Sequence, residues 1–373
     1  MKIQTYAGQL KAALKLCEPF VDKRVFIPVL SMVKFEKGKI VATNLDMQIE
    51  VLLPSVSNEG AALVMFWPLR RLVADLKDEE LVTLTRVGNA VEIIAGTGRY
   101  LIPSLSTEEF PEIKLLTQFR DVKLDGDAFR NALLFALPAV STEETRYYLN
   151  GVCLSVHDVV ATDGHRLAVS YGILPEAINN AIIPRAAAIV LSKLPAFPSL
   201  TLFSGGDVDH VIRFGAAGVT VTAKLIDGTY PDWKRVVPSG GLATTHLQRA
   251  DLSRLLRRMS VVTGMRAFPV TLAADGVRLA ASVKDVSSDV SAQDYIDAHG
   301  AEFEVAFNAR YLNEALVSIG GETVSFATLG STHPVILRSD QTDNRAFIVM
   351  PQRGTHIDDA RLLLERLRRD VAA

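Results

Sequence analysis

The sequence predicts an α+β fold assembled from three copies of one helix-and-strand unit. Two observations carry the prediction: an apolar helical stripe that returns about every 120 residues, and β-branched strand-turn-strand runs that follow it each time. A third, the uneven placement of charge, indicates what such a molecule would face.

The stripe begins as Leu10, Ala13, Leu14 and Cys17. It returns as Phe129, Ala132, Leu133 and Ala136, then as Leu252, Leu255, Leu256 and Met259, always apolar at i, i+3, i+4 and i+7. The runs MVKFEKGKIVATNLDMQIEV, GVCLSVHDVVATDGHRLAV and VTLAADGVRLAASVKD come next, with Gly or Asp at their turns. A second helix follows in each third: Leu69, Leu72, Val73 and Leu76; the weaker IPRAAAIVLSKL over 183–194; and Leu312, Ala315, Leu316 and Ile319. Leu69 and Leu312 stand 59 and 60 positions after Leu10 and Leu252, so the same unit is being rebuilt. Alternating runs close each third. The expected domains are 1–120, 121–245 and 246–353. In the tail, 354–373, Asp358 and Asp359 precede Leu362, Leu363, Leu364 and Leu367, and Arg366, Arg368 and Arg369 close it, which predicts a short amphipathic helix.

At 373 residues the chain exceeds a single average core. Its 49% apolar and 22% charged composition excludes disorder. Cys17 and Cys153 lie far apart without a CxxC, which supports neither a disulfide framework nor a thiolate zinc site and fits a reducing cytoplasm. Lys11 and Lys15 interrupt any signal-peptide core, and the longest apolar stretch, 61–69, falls far short of the roughly 18 residues of a membrane span, so no membrane is expected. A net charge of −2 taken alone argues against nucleic acid. Its distribution argues the reverse, because the six helical windows carry +8 and everything else −10. Helices that are basic together suggest one surface facing a polyanion through its phosphates.

No GxxxxGK[ST], GxSxG or HExxH motif is present. Asp207, Asp209 and His210 in GGDVDH read as a polar hairpin turn rather than a metal site. Tyr147 and Tyr148 read as strand tyrosines, or as a platform for bases. Asp163 and His165 in VATDGHRLAV invite a hydrolase reading. Yet Val41-Ala42-Thr43-Asn44-Leu45-Asp46 occupies the same place in the first third, so the stretch is first of all a strand leaving a turn. No catalytic residue, metal or cofactor is expected.

TRYYLNGV (145–152), ATDGHRLAV (161–169), IIPR (182–185), DGTYPDWKRVVP (227–238) and VMPQR (349–353) occur in an order and spacing that resemble the bacterial sliding clamp, the beta subunit of DNA polymerase III. KRVFIPVL (23–30) and EFPE (109–112) add to the likeness, which covers about residues 1–353. The resemblance implies three clamp domains per chain, a head-to-tail homodimeric ring, and helices lining a hole for double-stranded DNA. It implies as partners the polymerase III alpha subunit, the clamp loader through its delta subunit, and other polymerases and repair proteins that carry clamp-binding peptides. Carried over by position, the peptide cleft would comprise Leu149, Thr162, Gly164, His165, Arg166, Leu167, Pro231, Arg235, Val236, Val349, Met350, Pro351 and Arg353, with His165 and Arg166 as donors to the peptide. DNA would meet Arg24, Arg70, Arg71, Arg146, Tyr147, Tyr148 and Arg185. The dimer contact would set Phe110 of one chain against Leu255, Met259 and Val262 of the next. Ala186 after IIPR, and Glu143, depart from the pattern and imply fewer DNA contacts. The tail, which starts beside the cleft, either stays on its own domain, packed as a short helix or frayed, or partly covers the cleft; the second placement would suit a clamp-like paralogue with an occluded cleft, acting in repair or in partner sequestration.

Overall fold

The computed structural model describes residues 1–373 except 24–26, 196, 207, 217, 266, 286–289, 353–356 and 373. The six expected helices are α1 (Ala7–Cys17), α2 (Phe66–Ala74), α3 (Gly126–Ala136), α4 (Arg185–Leu191), α5 (Arg249–Thr263) and α6 (Ala309–Ile319), and the tail supplies α7 (Ile357–Ala372). The stripe residues of α1, α3 and α5 are all buried, each at 4% exposure or less. A fully buried leucine or phenylalanine there contributes roughly 2 kcal/mol by leaving water. α4 is shorter than the pattern predicts. The β-branched Ile182 and Ile183 stay in the strand Ile178–Pro184, paired with Cys153 and Val152, and the helix begins only after Pro184.

Every strand pairing is antiparallel among the described residues, in sheets of five, eight and twelve strands. Hairpins follow the predicted turn chemistry: Lys37 (φ 47°) and Gly38 (φ 77°) both adopt the left-handed conformation that a tight two-residue turn requires. Two pairings cross between sequence repeats. Strand Met47–Leu52 of the first third pairs with Val219–Lys224 of the second, and Arg166–Ser170 of the second pairs with Thr342–Val349 of the third.

These pairings divide the chain into two compact units rather than three. One holds Met1–Phe129 and Ala186–Asp227, the other Arg130–Arg185 and Gly228–Ala373. The second repeat is shared between them because its two halves hydrogen-bond to different neighbours.

α7 packs on the sheet of its own third. Ala360 and Leu364 lie with Ala273 and Ala280, two small residues that let the helix approach, and Leu363 packs beside them. Arg368 at the far end pairs with Asp275 (3.0 Å) and Glu302 (3.4 Å). The tail therefore follows the first of its two expected placements, on its own repeat. Cys17 and Cys153 are free thiols, and burial pushes both well above the ordinary thiol range, which leaves them unreactive.

Candidate functional site

In the second unit the turn Thr162–Arg166 is fixed by its own side chains. Thr162 Oγ1 donates to the Arg166 carbonyl (2.6 Å) and accepts from the Gly164 amide (3.1 Å). Asp163 Oδ1 accepts from the amides of His165 (2.9 Å) and Arg166 (3.0 Å), and its Oδ2 from Arg166 Nε (3.0 Å). Gly164 sits at φ 87°, a left-handed conformation that favours glycine, and a Cβ there would meet only the movable tip of the Arg146 side chain at 2.6 Å. Both Asp163 oxygens are engaged in holding the turn, which leaves neither poised as a base toward a substrate.

Pairing of Arg166 with Val349, and the bond from the Met350 amide to the His165 carbonyl (2.9 Å), set ATDGHR beside VMP. Leu149, Thr162, Leu167 and Val349 are buried at 8% exposure or less and form a floor, while Gly164, His165, Pro231, Arg235 and Val236 are exposed. Met350 and Pro351 are half-buried. Tyr230, buried against Thr162 and Cys153, anchors the loop that carries Pro231, and burial pushes its phenol well above the ordinary range. Arg235 is held by Asp232 at 2.9 Å.

Arg166 departs from expectation. It is only 5% exposed; its Nε is bonded to Asp163 and its Nη1 to Glu314 of α6, and its guanidinium lies 4.4 Å from the Tyr311 ring centre. Two of its nitrogens thus support the turn from within, and His165, exposed and stacked on Tyr311 with ring centres 6.0 Å apart, is the accessible donor. Burial alone would raise Glu314, but hydrogen bonds from Arg310 and Arg166 outweigh it and hold the carboxyl below its ordinary value. His165, Arg166, Arg185, Arg310 and Tyr311 share a hollow of about 380 Å³ with the segment that follows α3, from Leu137 to Glu143. Sequence reading missed Tyr311. Its signal was an aromatic lying off the apolar stripe of α6, one position before Leu312.

The residues assigned to DNA behave unequally. In the first unit Arg70 is paired with Glu18 (3.6 Å), whereas Arg71 is exposed and carries no ion pair among the described residues. In the second unit Glu143 holds Arg146 through two bonds (2.9 and 2.7 Å), and Arg185 is exposed without an ion pair among the described residues. Tyr147 and Tyr148 belong to the 3₁₀ turn Glu144–Leu149, not to a strand, and Tyr147 is 55% exposed. Arg24 and Arg353 lie outside the described residues, as does Asp207. Asp209 is bound to Arg120 (2.7 Å) and Ser204 (2.6 Å), in keeping with a hairpin turn.

The dimer residues need correction. Phe110 (6% exposed) is packed against Met32, Val41 and Leu63, and Leu255 (0%) and Met259 (1%) face the core, so these three present little surface to another chain. Val262 is 52% exposed, and its neighbour Val261 77%.

Comparison with known proteins agrees over residues 1–353. The N-terminal, central and C-terminal domain models of the DNA polymerase III beta subunit match residues 1–114, 123–232 and 234–353. The beta sliding clamp of Caulobacter vibrioides is 27% identical over 379 residues, covering 95% of this chain and all of the relative. That of Pseudomonas aeruginosa is 27% identical over 358 residues, covering 91% and 96%. Among solved structures, the sliding clamp of Bartonella birtlesii bound to griselimycin superposes with a TM-score of 0.87 at 29% identity, over 95% of this chain and all of that one. The polymerase III beta subunit of Caulobacter crescentus superposes at 0.85 with 27% identity and the same coverage.

Proposed function

The chain belongs to the DNA polymerase III beta subunit family, and from that membership we infer that it is a sliding clamp: a ring of two copies that encircles double-stranded DNA and tethers the replicative polymerase. The three sequence repeats, 1–120, 121–245 and 246–353, are its clamp domains, and 354–373 is an extension beyond the matched models. The observation that carries the reading is the helix charge. With the bounds found in the structure, α1 to α6 still carry +8 in a chain of net −2, which suits weak, sliding contact with phosphates. Processivity then comes from topological linkage and the high effective concentration of a tethered partner.

The cleft around His165 receives clamp-binding peptides of the alpha subunit, of the loader's delta subunit and of other polymerases and repair proteins, and no intrinsic turnover is assigned to it. The engaged state of Asp163 supports docking over hydrolysis. DNA contact rests chiefly on Arg71, Arg185 and Tyr147, because Glu143 already holds Arg146. Ring closure uses two surfaces. One is the edge strand Gly98–Pro103, where Tyr100 and Leu101 are 41% and 66% exposed; the other is Val261 and Val262 at the end of α5. The placement of α7 on its own sheet gives no support to a paralogue with an occluded cleft.

Retention on DNA tests the ring. Loaded on nicked circular DNA, the protein should co-elute with it through gel filtration and be released when one cut linearises the circle. Equal retention on both forms would refute encirclement.

A further inference from the structure

The turn that builds the His165 site occurs a second time in the first unit, with the same four threonine and Asp/Asn side-chain bonds. Thr43 Oγ1 donates to the Met47 carbonyl (2.9 Å) and accepts from the Leu45 amide (3.2 Å). The amides of Asp46 (3.2 Å) and Met47 (2.8 Å) donate to Asn44 Oδ1, as those of His165 and Arg166 do to Asp163. On the neighbouring strand the Lys224 amide donates to the Asp46 carbonyl (2.8 Å), in the place of Met350 and His165. The adjoining linker repeats as well. Phe110-Pro111-Glu112-Ile113-Lys114 matches Tyr230-Pro231-Asp232-Trp233-Lys234, each with its aromatic buried beside the turn.

These parts enclose a hollow of about 320 Å³. Leu45, Pro111, Ile113 and Val211 supply its apolar wall, with Lys114 and Lys224 at its rim. Leu45 takes the place of Gly164 at φ 77°, a conformation that L side chains rarely adopt, and still projects at 41% exposure. Neither burial nor backbone preference accounts for a leucine there; an apolar ligand would. Charge specifies the ligand further. Glu112 shares Lys34 (3.0 Å) with Glu36 (3.1 Å), Lys114 carries no ion pair among the described residues, and Lys224 has only an exposed 3.6 Å contact with Asp46. Among the charged residues that line the hollow, Lys114 and Lys224 outnumber Glu112 by one, and a lysine stands where the His165 site has Met350.

We propose that this hollow is a second peptide-docking site, taking an extended apolar segment of a protein partner flanked by acidic residues. The proposal rests on the docking reading of the His165 cleft as its precedent. An apolar side chain would fill the wall beside Leu45 while a neighbouring carboxylate meets Lys114 and Lys224.

Methyl NMR of the full-length chain separates the two sites. The acetylated, amidated probe peptide Glu-Leu-Leu-Glu-Glu should shift the methyl signals of Leu45, Ile113 and Val211. Leu45→Asp, which tolerates the backbone conformation better than leucine, should abolish those shifts. Lys114→Glu should weaken the response at least tenfold, and the peptide Lys-Leu-Leu-Lys-Lys should give none. The methyls of Val236, Val349 and Met350 report the His165 cleft independently, read with a clamp-binding peptide of a polymerase. Response there but none around Leu45 with the acidic probe overturns this proposal and leaves the cleft reading intact. Response around Leu45 with a silent cleft supports the second site and defeats the first. Shifts around Leu45 that survive both substitutions also overturn the proposal.

Discussion

Arg166 shows how one side chain can support a site by being withheld from it. Its guanidinium is enclosed by Asp163, Glu314 and Tyr311, so truncation would remove the cation that both partly buried carboxylates share. Arg166→Ala should cost roughly 3 kcal/mol in urea unfolding, as breaking a buried pair does. His165→Ala touches only an exposed ring, and should leave stability within about 0.5 kcal/mol while weakening peptide binding at least tenfold. Acid separates the two roles. Because Glu314 is depressed in the folded state, its pairing stabilises above the ordinary carboxylate range and is lost as pH falls through the depressed value. The stability gap between the natural chain and Glu314→Gln should therefore be full at neutral pH and close on acidification; a gap that persists or widens in acid would contradict the assignment. The turn residues themselves were legible in ATDGHR. Their partners on α6 were not, since nothing in one sequence announces that Tyr311 and Glu314 fold back onto a loop some 145 residues earlier.

Helices were the most legible elements, because burying an apolar stripe needs only the 3.6-residue period and a sheet to lie on. Where the period was weak, over 183–194, the strand competed for the first residues and took them. The tail helix was legible too, but not its berth, which depends on alanines at positions 273 and 280 of the sheet beneath it. Leu364 is 5% exposed against those alanines, so Leu364→Ala should destabilise the full chain by about 2–3 kcal/mol in thermal or urea unfolding. Removing 357–373 should lower the melting temperature while leaving cleft-peptide affinity unchanged. Tighter peptide binding after the truncation would mean that α7 reaches the cleft after all.

For the whole molecule, the informative failure concerns the dimer contact. Sequence likeness selected Phe110, Leu255 and Met259, all apolar, but each is committed to its own core. Surface rather than character decides an interface, and Val261 and Val262 on α5 and Tyr100 and Leu101 on the edge strand are among the exposed apolar residues. Val261→Asp with Val262→Asp should convert the dimer to monomer in sedimentation velocity without lowering the melting temperature of the monomer. Leu255→Ala should instead destabilise it by roughly 3 kcal/mol.

The sequence by itself determined the threefold repeat, the six amphipathic helices, the basic bias of those helices and the likeness to sliding clamps. Each of these is local, periodic or compositional, and so is written along the chain. Only the tertiary structure decided which repeats share a sheet, that three repeats make two compact units, where α7 lies, and which apolar residues remain exposed. Those outcomes depend on strand pairing between residues more than 160 positions apart, and edge hydrogen bonds are equally available to any strand until the rest of the fold brings one partner alongside.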